Sequence, residues 1–137
     1  MIKIVVLAFS LILVMNLNLF SQQLLISGQP LDSVELAGKK LYMSLDEALK
    51  EPSNVYKLCM GGQDYSSLPQ GISKLKNLQE INLSQNKFEE LPEELCTCGM
   101  LEELSLSGNG LKKLPKNFFN LRYLRRLDLS SNPELDL

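Results

Sequence analysis

The sequence contains no histidine and no tryptophan, and aromatic residues make up 7% of its 137 residues. Without histidine there is no Ser-His-Asp triad, no Cys-His pair, no imidazole metal ligand and no side chain whose ordinary titration falls near neutral pH. Cysteine is scarce too. The three thiols, Cys59, Cys96 and Cys98, are too few for a four-ligand zinc site, and their odd number precludes complete pairing within one chain. Neither sign of charge dominates: 14 basic and 16 acidic side chains leave a formal net charge of −2. That balance speaks against a basic nucleic-acid-binding surface. The length allows one domain.

The hydrophobic content, 45% overall, is unevenly distributed. Lys3 precedes Ile4–Met15, an uncharged apolar run, and Asn16, Asn18 and Ser21-Gln22-Gln23 follow it. A basic start, an apolar stretch of about 7–15 residues and a polar exit is the layout of a secretory signal peptide. The expected boundary is residue 21. An uncleaved membrane anchor is one alternative, because about 20 apolar residues span a bilayer and Ile4–Phe20 approaches that length. A buried core helix is the other.

From Val55 onward the chain repeats with a period of 23. Three full units, 55–77, 78–100 and 101–123, precede a shortened fourth, 124–137. Position 1 holds Val55, Leu78, Leu101 and Leu124. Position 4 holds Leu58, Ile81, Leu104 and Leu127, and position 6 holds Met60, Leu83, Leu106 and Leu129. Position 9 carries Gln63, Asn86, Asn109 and Asn132; position 14 is Leu in every unit; position 15 is Pro69, Pro92 and Pro115. Positions 18 and 21 are apolar or Cys.

Positions 3–7 alternate polar and apolar, which predicts a short strand with one buried face. The amide at position 9 both donates and accepts, so it satisfies backbone groups that a turn leaves unpaired. Proline at position 15 suits the opening of a short helical or 3₁₀ segment, where its missing N–H costs nothing. One unit cannot bury its own leucines, so stacking must build the core.

This pattern resembles the leucine-rich repeat family, L-x-x-L-x-L-x-x-N-x-L-x-x-L-P-x-x-[IF]-x-x-L-x-x, over residues 55–137, and in particular its short secreted bacterial members. The resemblance implies an α/β solenoid, with a parallel β-sheet on the concave face and short helices or turns on the convex face. It also implies a non-catalytic module that binds a protein partner through concave strand side chains. On that reading the binding face comprises Tyr56, Lys57, Gln79, Glu80, Asn82, Glu102, Glu103, Ser105, Arg125, Arg126 and Asp128, with the small or polar residues at positions 7 and 8 beside them. The competing interpretation makes Lys57/Glu80 and Glu103/Arg126 ion pairs between neighbouring strands. No cofactor or metal is expected, and membrane contact only through an uncleaved N-terminal segment.

Ahead of the repeats, Ser44-Leu45-Asp46-Glu47 has the capping-box pattern and predicts a short helix over Leu45–Lys50, with Pro52 ending it. Residues 44–54 are therefore expected to cap the first coil, and residues 22–43 to form a linker or irregular segment with a turn at Gly28-Gln29-Pro30 and an extended piece at Leu41–Met43. On the flank, Glu89-Glu90 faces Lys112-Lys113, so neighbouring coils of opposite sign should attract. The carboxylates Glu89, Glu90, Glu93 and Glu94 read as a solvated face. Cys98 occupies an inward column, Cys96 an outward position, and Cys59 the concave face. The fourth unit stops at position 14. Two expectations follow: self-association through an uncapped last coil, or a truncated N-terminal fragment of a larger leucine-rich repeat protein with its structural or enzymatic domain downstream.

Overall fold

The computed structural model describes residues 28–136. The expected signal peptide, 1–21, lies outside them, as does Leu137.

Five short parallel strands form one sheet in sequence order: β1 (Leu41–Tyr42), β2 (Lys57–Cys59), β3 (Glu80–Asn82), β4 (Glu103–Ser105) and β5 (Arg126–Asp128). The register follows the 23-residue repeat. Lys57 lies opposite Glu80, Glu80 opposite Glu103, and Glu103 opposite Arg126. Beyond the strands the ladder continues at the same offset, Met60 N to Asn82 O, Leu83 N to Ser105 O and Leu106 N to Asp128 O, each 2.8 Å. An open parallel sheet with short connections on its other side is the expected leucine-rich repeat solenoid, and those connections are 3₁₀ turns at Ile72–Lys74, Glu93–Thr97 and Phe118–Asn120. Pro92 directly precedes its 3₁₀ turn, whereas Pro69 and Pro115 stand further ahead.

The core is made of the repeat columns. Val55, Leu78 and Leu101 are fully buried, as are Met60, Leu83 and Leu106, and Phe88 and Leu111 fill position 11. Side chains from successive coils pack on one another, so the apolar area leaves water only when the coils stack, at a gain of about 25 cal/mol per Å².

The asparagine ladder supplies the polar half of the fold. Asn86 Nδ2 donates to the carbonyls of Met60 (2.8 Å) and Leu83 (3.0 Å), and its Oδ1 accepts from the amides of Gln63 and Tyr65. Asn109 donates to Leu83 and Leu106 and accepts from Phe88; Asn132 donates to Leu106 and Leu129 and accepts from Leu111. Each amide thus ties its own turn to the preceding coil. Gln63, at the same place in the first unit, reaches back to the Met43 carbonyl at 3.2 Å.

Position 8 is a turn position rather than part of the open face. Gly62, Gln85, Gly108 and Ser131 all have positive φ, between 54° and 67°. Glycine takes that conformation freely, while Gln85 and Ser131 bear roughly 1–2 kcal/mol of left-handed strain. At Gly108 a Cβ would also meet the Gln85 amide.

The segment before the repeats is more ordered than its sequence suggests. Helix α1 (Ser33–Ala37) is capped by Asp32, whose carboxylate accepts from the amides of Val34 and Glu35 at 2.9 Å. Then β1 pairs with β2, Leu41 opposite Lys57 and Tyr42 opposite Leu58. The described part of the expected irregular segment therefore adds a fifth strand to the four expected. Helix α2 (Leu45–Ala48) is capped by Ser44 Oγ, which accepts from the Glu47 amide at 3.2 Å. It is two residues shorter than expected, and Pro52 opens a 3₁₀ turn, Pro52–Asn54, instead of ending the helix. Leu45 and Ala48 complete the core at this end.

Candidate functional site: the concave face

Strand alternation decides which side chains are free to meet a partner. Position 4 points into the core, so positions 3 and 5 point out. These outward residues line an open groove of about 710 Å³, with Glu80, Glu103 and Arg126 from position 3 and Cys59, Asn82, Ser105 and Asp128 from position 5. Arg125 from position 2 also reaches it, and so does Leu41 from β1. Leu41 was not singled out from the sequence. It falls outside the repeat, and only its pairing with Lys57 places it in the position-3 column.

The other position-2 residues behave differently from the expected free face. Gln79 is buried, 1% exposed, and its side chain clamps the backbone of Leu31: Oε1 accepts from the Leu31 amide at 2.8 Å, and Nε2 donates to the Leu31 carbonyl at 3.0 Å. The lead-in segment thus covers Gln79, for a reason 48 residues away in sequence. Tyr56 is half-buried, and the Lys39 ammonium sits 4.8 Å from its ring centroid. Glu102 is half-buried and pairs with Arg125 at 3.7 Å. Tyr56, Lys57, Gln79 and Glu102 stand beside the groove rather than in its lining.

Two kinds of charge arrangement occupy this face. Toward β5 the ionic groups are matched internally. Arg126 pairs with Glu103 across the sheet, and the Asp128 carboxylate accepts from the Ser130 hydroxyl (2.7 Å) and amide (3.0 Å). Those hydrogen bonds from Ser130 hold the Asp128 carboxyl below its ordinary pKa. Asn82 makes the equivalent bonds with Ser84 in its own coil. Toward β2 the match is absent. Lys57 and Glu80 are register partners, yet among the described residues they form no ion pair, so only the Glu103/Arg126 half of the cross-strand interpretation holds.

The flank does show the expected attraction between coils. Lys112 pairs with Glu89 at 2.7 Å and Lys113 with Glu90 at 2.9 Å. The hydrogen bond between Lys112 and Glu89 lowers the Glu89 pKa and raises that of Lys112.

No thiol is bridged to another. Cys98 fills its inward column, and burial pushes its pKa up to about 11. Cys96, expected to point outward, is buried at 4% exposure. Its 3₁₀ turn is flanked by those of the coils on either side, and a small side chain there is covered by both. Burial again raises its pKa, with the Glu93 carboxylate adding to the effect. Thiols held protonated in this way are poor nucleophiles and poor metal ligands. Among the described residues no three His, Cys, Asp or Glu side chains converge on a common point where a metal ion would sit, and no helix is long and apolar enough to cross a membrane.

Comparison with protein families agrees with the repeat pattern. Residues 53–111 match the family model described as "Leucine rich repeat". Among solved structures, a leucine-rich repeat protein of Leptospira interrogans is similar at 25% identity, over 67% of this chain and 35% of that one, with a TM-score of 0.38. The chain thus spans about a third of that protein's solved length. No curated protein matches.

Proposed function

We propose that this chain, whose residues 53–111 match the leucine-rich repeat family model, is a non-catalytic module that binds a protein partner through its concave face and is exported or held at the cell surface. The observation that carries this reading is the groove itself. Its strand side chains at positions 3 and 5 are not needed for the core, and they project together from a rigid parallel sheet. Such a surface presents fixed, closely spaced groups to a partner without paying to order them at the moment of binding. The absence of histidine and the raised pKa values of Cys96 and Cys98 favour recognition over chemistry. Export rests on the basic, apolar and polar succession of the first 23 residues.

A photo-activatable residue at Ser105, in the groove, tests the assignment against the same residue at Phe119, which is 92% exposed on the convex side. Illumination in the native host should give a discrete protein adduct from position 105 and none from 119. Adducts from 119 alone would move the binding surface to the convex side.

A further inference from the structure

The backbone edge of each of the first three repeat units is taken up by the next. The position-6 amides of Met60, Leu83 and Leu106 donate to the carbonyls of Asn82, Ser105 and Asp128. The position-2 carbonyls of Tyr56, Gln79 and Glu102 each accept from the coil that follows. In the fourth unit the Leu129 amide and the Arg125 carbonyl hold these two places, and neither has a hydrogen-bond partner among the described residues. By the alternation of a parallel ladder, the amide and carbonyl of Leu127 between them face the same open side. The Leu127 side chain is itself 39% exposed.

An open strand edge is a template for another strand, and its side chains decide which. β5 reads Arg126-Leu127-Asp128. A second copy of β5, turned antiparallel about Leu127, sets its Asp128 opposite Arg126 and its Arg126 opposite Asp128. In that orientation the strand is its own charge complement. A parallel copy would set Arg126 against Arg126 and Asp128 against Asp128, and like charges directly opposite are destabilising. Stacking β1 of another copy on β5 offers no opposite charge, only Leu41 and Met43, and Tyr42 between them is already buried.

The hydrogen bonds agree with the charges. Leu127 opposite its own copy exchanges two backbone bonds, and the Leu129 amide of each copy meets the Arg125 carbonyl of the other. Arg126 and Asp128 then oppose each other at the sites without backbone bonds, where side chains approach most closely. Arg126 keeps Glu103 on its other side, so charge alternates across the seam.

We infer that the chain self-associates as a two-fold dimer in which two β5 strands pair antiparallel about Leu127. The pairing joins two five-stranded sheets into one continuous sheet and sets their concave faces side by side. A two-fold contact is closed and stops at two copies. The seam is one strand edge long, so the dimer is weak and forms with rising concentration. The inference does not rest on the concave-face reading above.

The test is disulfide trapping in the full-length chain carrying Cys59→Ser, which removes the half-exposed thiol and leaves the buried Cys96 and Cys98. In the paired sheet residue 127 faces itself with Cα atoms about 5.5 Å apart, within the span of a disulfide. Leu127→Cys should give a covalent dimer under mild oxidation. Arg126→Cys alone should give little, while an equal mixture of Arg126→Cys and Asp128→Cys chains should give the mixed dimer. Adding Arg126→Asp to Leu127→Cys should slow trapping at least about 10-fold, and adding Asp128→Arg as well should restore it, because the charges again match. A retained circular dichroism spectrum certifies each variant as folded. No trapping at 127, or trapping indifferent to the charge changes, would overturn the inference. So would faster trapping of 126 with 126, which means a parallel edge, or of Arg126→Cys with Leu41→Cys, which means head-to-tail stacking.

Discussion

Strands β2–β4 and strand β5 are built from the same repeat and differ in how deeply it is buried. In the position-4 column Leu58, Ile81 and Leu104 are 1%, 3% and 2% exposed, while Leu127 of β5 is 39% exposed. In the position-6 column Met60, Leu83 and Leu106 are fully buried, and Leu129 is only partly so. The residue type is nearly constant and the local backbone is the same. What differs is the neighbour. β2 is bordered by β1 on one side and β3 on the other, whereas β5 borders β4 alone among the described strands. Burial in this molecule is a property of stacked pairs, as expected for a solenoid in which each repeat touches only the next.

Truncating the same column at its two positions gives the largest expected contrast. Leu104→Ala should cost about 2–5 kcal/mol, the range for a leucine cavity in a packed core. Leu127→Ala removes a side chain already in partial contact with water and should cost well under half as much. Urea denaturation of the two variants measures the difference, and equal losses would mean that the β5 coil is as tightly packed as its predecessors.

The asparagine column sharpens the same point with polar groups. Asn109 is 8% exposed and bridges two coils, so Asn109→Ala orphans buried backbone groups at about 1–3 kcal/mol. Asn132 makes the corresponding bonds at a site more open to water, which can replace them. Asn132→Ala should therefore lower the melting temperature by less than Asn109→Ala.

Smallest of all is the charged flank between the second and third units. Glu89 has its pKa lowered by Lys112, so the stabilisation it contributes is fully present above the ordinary carboxylate pKa and is lost as pH falls through the depressed folded value. Both side chains are exposed, so salt should erase most of the effect. A Lys112→Gln variant should thus match the parent in acid or high salt and fall slightly below it at neutral pH and low salt.

How much of this is legible in the sequence depends on whether a residue takes its environment from the repeat. Leu104, Asn109 and Cys98 do, and their columns place them correctly. Gln79 and Leu41 do not. Gln79 sits in an outward column and is buried because Leu31 folds back over it, a contact no periodicity encodes. The extended piece expected at Leu41–Met43 is the two-residue strand β1, but only its pairing with Lys57 puts Leu41 on the concave face. Cys96 fails for a third reason: its turn is covered by the turns of both neighbouring coils, whereas Phe119 at the equivalent place is almost fully exposed. Ser44 shows the opposite case, since a cap is local chemistry, and it accepts the helix amide its position dictates.

Amide hydrogen exchange tests most directly the claim that each coil owes its burial to the next. Leu83 and Leu106 occupy the same repeat position, and their amides donate to Ser105 and Asp128 over the same 2.8 Å. The Leu83 acceptor lies in β4, which β5 covers in turn; the Leu106 acceptor lies in β5 itself. The Leu83 amide should exchange at least about 10-fold more slowly than that of Leu106, because the β5 coil opens without the rest of the sheet. Equal protection of the two amides would contradict the account and show that the sheet opens as one unit.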